Sequence, residues 1–245
     1  MTAAATASVP ASKSIPAFYQ ILLRSQFTRG RVIGAAALGL IAIVAAVLSR
    51  GAADPIDAAI FAVGLYGISL MVPLITLMLA SPLLGNLVED RLLVYLWLKP
   101  TARWHLAAAA LLATASVLIP VTVVPLVIAA LVSGQAGLAG PVALAAIVGV
   151  LAYGGFFLWL GLRYRSGLWL GLAYIVVWEN VVANFGDGPA RFAIRSYLLT
   201  IVEWGTERSV PLADRADAAA ILVPVLFAMA GIALTTWALR SRDID

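Results

Sequence analysis

The residue of this sequence with the clearest capacity for chemistry is Glu179, which follows Trp178 and precedes Asn180 within a long apolar segment. A carboxyl group in such a segment must find a partner, stay protonated or face water, because an isolated charge is costly away from water. Glu179 and Asn180 could therefore line a translocation path. They could equally fasten an outer cap by hydrogen bonding to Arg191 or Arg195. The sequence leaves both interpretations open.

A second polar group lies at residues 85–104, between two long apolar segments. Glu89, Asp90 and Arg91 form a charged cluster there, and a leucine-rich amphipathic stretch follows it. This pattern disfavours a path across the bilayer, since each charge costs roughly 2.5–3.5 kcal/mol at mid-membrane. We expect a short helix that lies along the membrane surface.

The rest of the sequence carries no catalytic motif. Cysteine is absent, and the single histidine, His105, has no second histidine or close carboxylate pair at metal-ligand spacing. No Walker A loop, G-x-S-x-G elbow or H-E-x-x-H helix occurs. We therefore expect no enzymatic activity, no metal site and no cofactor bound by this chain. The dispersed basic residues also argue against nucleic-acid binding.

The composition indicates which elements hold these groups. Of the 245 residues, 63% are hydrophobic and only 11% are charged, whereas soluble domains carry about 25% charged residues. This composition is typical of an all-α, polytopic membrane protein. A transmembrane helix needs about 20 apolar residues. The sequence predicts six such spans, at residues 33–49, 58–79, 106–131, 141–162, 168–185 and 218–239.

An amphipathic segment precedes the first span. Over residues 15–31, a helical wheel places Phe18, Tyr19 and Leu22 on a broad apolar arc and Arg24 on a polar stripe. This pattern predicts an interfacial helix, anchored by aromatic side chains, with its arginines toward anionic headgroups. An ordinary juxtamembrane tail is the alternative.

The basic residues orient the spans. Eleven of the 16 Lys and Arg residues fall on the side that holds both termini. The excess of basic residues in cytoplasmic loops therefore places both termini and residues 85–104 in the cytoplasm, with the spans in the inner (plasma) membrane. We expect residues 1–14 to be a disordered tail and residues 15–245 to form one transmembrane domain. On the outer side, residues 192–204 are apolar but too short to span, which favours an interfacial or re-entrant segment.

The loop between the second and third predicted spans contains a glycine, an acidic cluster, a leucine-rich turn and a proline-arginine end: Gly85, Glu89, Tyr95, Leu96, Pro100, Arg103 and Trp104. With the N-terminal helix, the six spans and the outer segment, this pattern resembles the permease subunit of ABC-2 type exporters over nearly the whole chain. The WEN motif at residues 178–180 and the SYLLTI stretch from Ser196 are also similar to small bacterial permeases of this kind. One departure is that Leu92 and Leu93 replace the Gly-Thr pair often found after the acidic cluster.

The resemblance implies an ATP-driven exporter in which this chain supplies half of the transmembrane pathway. Its implied partners are an ABC ATPase subunit, which would bind ATP and Mg, and a second permease copy in a homo- or heterodimer. The loop would contain a coupling helix that contacts the ATPase through Glu89, Asp90, Arg91, Leu92, Tyr95 and Leu96. A mostly apolar bundle suits an amphipathic or lipid-like substrate, and membrane lipid is a further expected partner.

Two other classes of function stay open. A secondary transporter would couple transport to protons through Glu179 and would need no ATPase. Inverted repeats would favour it, but the first three and last three predicted spans show no convincing similarity. A membrane assembly subunit would use the outer segment as a docking surface.

Overall fold

The computed structural model describes residues 11–26, 28–89 and 102–241, and this part of the chain is helical without a strand. The α-helices, in chain order, are α1 (Ala11–Gln26), α2 (Arg29–Ser49), α3 (Pro55–Ile60), α4 (Val72–Glu89), α5 (Arg103–Val132), α6 (Ala139–Arg163), α7 (Gly167–Ala173), α8 (Asp187–Ala190), α9 (Ile194–Glu203) and α10 (Asp217–Arg240). Two π-helical segments, Phe61–Met71 and Tyr174–Glu179, continue α3 into α4 and extend α7. Short 3-10 turns lie at Ala136–Leu138 and Val182–Phe185.

Six helical segments of the described chain are long and apolar enough to cross a membrane: Arg29–Ser49, Pro55–Gly85, Arg103–Val132, Ala136–Arg163, Gly167–Phe185 and Asp217–Arg240. Each predicted span falls inside one of them, so the prediction of an all-α protein with six helical segments long and apolar enough to span a membrane is confirmed. The second segment combines α3, a π-helical segment and α4, and the fifth combines α7 with the second π-helical segment and a 3-10 turn.

Helix α6 lies at the centre of the bundle, where it packs against α4, α5, α9 and α10. Its contact with α10 brings two backbones together at Gly155 and Gly231. A Cβ atom at Gly155 would lie 2.8 Å from the Ala228 carbonyl oxygen, and one at Gly231 would collide with the Gly155 backbone. Small residues allow this approach, as is common where membrane helices pack closely. The two helices are therefore held at a distance that only glycine permits.

Helix α1 packs along α5 through its apolar arc. Phe18 and Leu22 are buried in the core of the bundle, whereas Ile21 and Arg24 are exposed. The apolar side chains predicted to enter lipid are thus covered by protein at these two positions. The placement of α1 in a membrane interface stays a prediction.

Local sequence explains where the second segment begins. The side chain of Asp54 accepts hydrogen bonds from the backbone N–H groups of Ile56 and Asp57, at 3.1 and 3.2 Å. Pro55 follows at the first helical position, where its missing N–H costs nothing. A capping aspartate and a proline therefore start α3 at the end of a short turn after α2.

Candidate functional site

The candidate site lies where α9 begins. At the N-cap position of this helix stands Ala193, whose side chain cannot accept a hydrogen bond from the first backbone N–H groups. The Glu179 carboxylate takes this role. Its Oε1 accepts from the Ile194 N–H at 3.0 Å and its Oε2 accepts from the Arg195 N–H at 3.1 Å. Glu179 is therefore a helix cap that the preceding span supplies.

A third donor reaches the same carboxylate from within the π-helical segment Tyr174–Glu179. The Tyr174 hydroxyl donates to Oε1 of Glu179 at 2.7 Å. A π-helical turn is wider than an α-helical one, so residues five apart face each other. The Asn180 N–H accordingly donates to the Ile175 carbonyl at 3.2 Å. The wide turn thus places a tyrosine donor against a glutamate that is 0% exposed.

The Arg195 guanidinium joins the beginning of α9 to the end of the fifth segment. It donates to Oδ1 of Asn180 at 2.7 Å and to Oδ1 of Asn184 at 3.0 Å. The amide of Asn184 in turn donates to the Asn180 carbonyl at 2.6 Å. Burial lowers the pKa of the Arg195 guanidinium below its usual value, and the nearby Glu179 carboxylate offsets only part of this shift. A buried cation and a buried carboxylate therefore lie close together at the same helix end, each with several hydrogen bonds.

The structure brings together three of the four residues that the sequence predicted here, namely Glu179, Asn180 and Arg195. The side chain of Arg191 is exposed, and this residue contributes its backbone carbonyl, which accepts from the Tyr197 hydroxyl at 2.8 Å. The contacts to Glu179 from this region come from backbone N–H groups and not from arginine side chains.

Sequence analysis missed three participants: Tyr174, Asn184 and Tyr153. Tyr153 is fully buried on α6 near the Glu179 carboxylate. Asn184 could have been found, because it lies one helical turn after Asn180. Tyr174 could not, because its spacing of five residues from Glu179 is not that of an α-helix face.

Around this site, α9 is covered on all sides. Each residue from Ile194 to Val202 is buried, and the helix packs against α6, α10 and the first π-helical segment. Beyond its end, Trp204 donates through its indole N–H to Asp217 at 2.8 Å. Glu203 accepts from the Val210 N–H at 3.1 Å. The segment after the fifth span is therefore an integral part of the bundle.

A second group of polar contacts joins α1 to α5. The Ser14 hydroxyl and Nδ1 of His105 lie 2.7 Å apart. Further along both helices, the Tyr19 hydroxyl donates to the Ser116 hydroxyl at 3.1 Å, and the Gln26 amide donates to the Thr114 hydroxyl at 3.2 Å. The lone histidine is thus buried against α1 and hydrogen-bonded there.

At the start of α5, the Arg103 guanidinium donates to the Leu239 carbonyl at the end of α10. A cation at this position satisfies one of the last carbonyl groups of α10 and is favoured by its dipole. The proposed ATPase-contacting residues precede this point. Glu89 is the last residue of α4, and its side chain and residues 90–96, with Asp90, Arg91, Leu92, Tyr95 and Leu96, lie outside the described residues.

No protein-family model matches this sequence, and neither does any curated protein.

The contacts themselves define what the site around Glu179 can do. In the described part of the chain, no three His, Asp or Glu residues come together as a possible metal site. The groups around Glu179 are hydrogen-bond donors that hold a carboxylate, and they join the end of the fifth segment to the beginning of α9. The arrangement is suited to fixing α9 against the fifth span.

Proposed function

We propose that this chain is the transmembrane permease subunit of an ATP-driven ABC exporter, which moves an amphipathic or lipid-like substrate together with a separate ATPase subunit. The protein would lie in the inner membrane with both termini in the cytoplasm. The six apolar segments and the charged stretch at residues 85–104 between the second and third of them support this assignment.

The observation that carries the proposal is the set of contacts where α5 begins. Arg103 binds the end of α10 through the Leu239 carbonyl, and His105 binds α1 through Ser14. A displacement of residues 90–101 would therefore act on three helices at once. Packed helices respond to such a push by rigid-body movement. ATP-driven closure of an attached ATPase could reach the bundle by this route.

In this proposal the loop residues divide into two roles. Glu89, Asp90 and Arg91 would set the orientation of docking through charges at the rim of the contact. Apolar side chains bury well in a groove and would anchor the contact. The residues assigned to anchoring are Leu92, Tyr95 and Leu96.

The hydrogen bonds of Glu179 favour a structural role for this residue over proton coupling. A proton-coupled transporter needs a carboxyl group that exchanges protons with water. Glu179 is completely covered, and its oxygens accept from one tyrosine and two backbone donors. Breaking these bonds would leave the first N–H groups of α9 without acceptors.

The decisive experiment is purification of the tagged protein from its host in a gentle detergent, followed by mass spectrometry and an ATPase assay. We expect a stoichiometric Walker-type ATPase in the complex. The double charge reversal Glu89→Lys with Asp90→Lys should remove it. A matched double reversal in the outer loop, Glu207→Lys with Asp214→Lys, should retain it.

Two results would contradict the proposal. One is purification without any ATPase under conditions that keep a reference ABC transporter intact. The other is an ATPase that remains bound equally well after both double reversals, which would remove the coupling role from residues 85–104. The membrane assembly subunit would then be the better hypothesis if the chain still copurified with other membrane proteins.

A further inference from the structure

A groove of about 540 Å³ lies on the side of the bundle between α2 and α5, and Leu79 of α4 also lines it. Its volume is within the range of small-molecule sites, which is ~300–1,000 Å³. The walls are almost entirely aliphatic along α2, from Val32 to Ile43, and along α5, from Val117 to Ile128. The groove is therefore suited to a hydrocarbon chain.

The length of the groove matches one half of a bilayer. From Arg31 to Ile43 the α2 backbone rises roughly 18 Å, at 1.5 Å per residue. The hydrocarbon core of a membrane is about 30 Å thick, so one leaflet accounts for about 15 Å. A single acyl chain of a membrane lipid would therefore extend along most of the groove.

Polar groups occur at one end only. Gln26, the last residue of α1, lines this end of the groove, and Arg31 lines it from the first turn of α2. On the opposite wall, Thr114 of α5 binds Gln26, and the groove begins at Val117. The far end, at Ile43 and Ile128, has aliphatic side chains. This polarity is that of a lipid, which has one polar end and one apolar end.

Gln26 supplies the most specific feature of the polar end. Its side chain is 1% exposed, and its amide N–H donates to Thr114. Its carbonyl oxygen, Oε1, is buried and has no hydrogen-bond partner in the described structure. Buried acceptors almost always have a hydrogen-bond donor, so we expect a bound molecule to supply one to this atom. Arg31, half-buried in the same groove, offers a guanidinium that suits a phosphate.

We propose that this groove binds a membrane glycerophospholipid whose headgroup carries a hydrogen-bond donor. One acyl chain lies between α2 and α5, the phosphate binds Arg31, and an ammonium or hydroxyl group of the headgroup donates to Oε1 of Gln26. A phosphocholine headgroup provides the phosphate but lacks the donor. The inference does not depend on the proposed transport function, because a lipid can occupy this groove in any membrane protein with this structure.

The first test uses the wild-type chain. Purified protein is incubated with phosphatidylethanolamine, phosphatidylglycerol or phosphatidylcholine of identical acyl chains, and bound lipid is counted by native mass spectrometry. We expect one retained lipid per chain with the first two, and at least tenfold lower occupancy with phosphatidylcholine. Equal retention of phosphatidylcholine, or no retention of any of the three, would overturn the proposal.

Two matched pairs of variants locate the lipid. Ala36 and Ala37 are adjacent exposed alanines of α2, and only Ala36 lines the groove. We expect Ala36→Trp to fill the groove and lower occupancy at least tenfold, and Ala37→Trp to leave it unchanged. Arg31→Gln should also lower occupancy, whereas Arg24→Gln, on the exposed face of α1, should not.

Equal lipid retention within each pair would place the lipid elsewhere and overturn the assignment. Because all four positions are exposed or half-buried, size-exclusion chromatography of each variant provides the folding control. If a variant does not fold, the comparison of the three lipids with the wild-type chain still decides the headgroup preference.

Discussion

Glu179 precedes Ile194 by 15 residues, yet its carboxylate accepts the Ile194 backbone N–H at 3.0 Å and thereby caps a helix to which it does not belong. The fifth span and α9 are joined at this point by a buried ionisable side chain. The Tyr174 hydroxyl and the Arg195 backbone N–H donate to the same carboxylate.

We expect Glu179→Gln to fold but to unfold at a lower temperature. The amide keeps one carbonyl acceptor, and its NH2 group faces a donor that the carboxylate had satisfied. A buried donor without an acceptor costs about 1–3 kcal/mol. Thermal unfolding in detergent, followed by circular dichroism, measures the loss. Glu207→Gln, at an exposed position of the loop between α9 and α10, is the control, and equal unfolding temperatures for the two variants would contradict the capping role.

Arg195→Lys should destabilise the protein although it preserves the charge. The guanidinium reaches Asn180 and Asn184 at the same time, and a lysine ammonium is a compact point charge that lacks this planar fork. Arg191→Lys, whose side chain is exposed, should leave the unfolding temperature within error. A double-mutant cycle between Arg195→Lys and Glu179→Gln should show a coupling energy of about 0.5–3 kcal/mol, as expected for neighbouring sites. Additive effects would show that the two residues act independently.

Phe18→Ala should loosen α1 from α5. Phe18 is 7% exposed in the core, and truncation of a buried phenylalanine typically costs about 3–5 kcal/mol. Since α1 contacts the bundle mainly through α5, we expect local opening of this helix before the bundle unfolds. Hydrogen exchange measured by mass spectrometry should be faster over residues 11–26. The comparison is with Ile21→Ala on the same helix, where 59% of the residue is exposed and exchange should stay as in the wild type.

Gly231→Ala should disrupt the packing of α6 against α10. The added methyl group would collide with the Gly155 backbone, which cannot move aside as a side chain would. Gly140→Ala makes a useful contrast, because no atom lies within 4 Å of the added Cβ and alanine is the better helix former. Folded yield and unfolding temperature should fall for the first variant and hold or rise for the second. If both variants behave alike, the close approach of the two helices is wrong.

The six spans could be predicted because long apolar segments are a strong signal and leave few alternatives. The importance of Glu179 could also be predicted, since a carboxyl group in an apolar segment needs an explanation. The groups that bind the Glu179 carboxylate could not be predicted. The sequence suggested arginine side chains, whereas the carboxylate binds backbone N–H groups, which every residue except proline carries and which no sequence pattern marks. One usable signal was available: Ala193 is a poor N-cap, so α9 needed an acceptor from elsewhere.

The apolar arc of α1 shows a second limit of prediction from sequence. Amphipathic periodicity indicates that one face of a helix avoids water, but it does not indicate what covers that face. Lipid and the side of α5 are equally apolar, so the same pattern fits a helix on a membrane surface and one packed on protein. Phe18 and Leu22 lie against the bundle because Ser14, Tyr19 and Gln26 find hydrogen-bond partners along α5.

The upstream position of Glu179 has a consequence for biosynthesis. When the ribosome has completed the fifth span, two of the three donors to this carboxylate, the backbone N–H groups of Ile194 and Arg195, have not yet been translated. Until they arrive, the nascent span holds a carboxyl group that lipid tolerates poorly. Release of this span from the translocon should therefore wait for α9, so that the fifth span and α9 enter the membrane together.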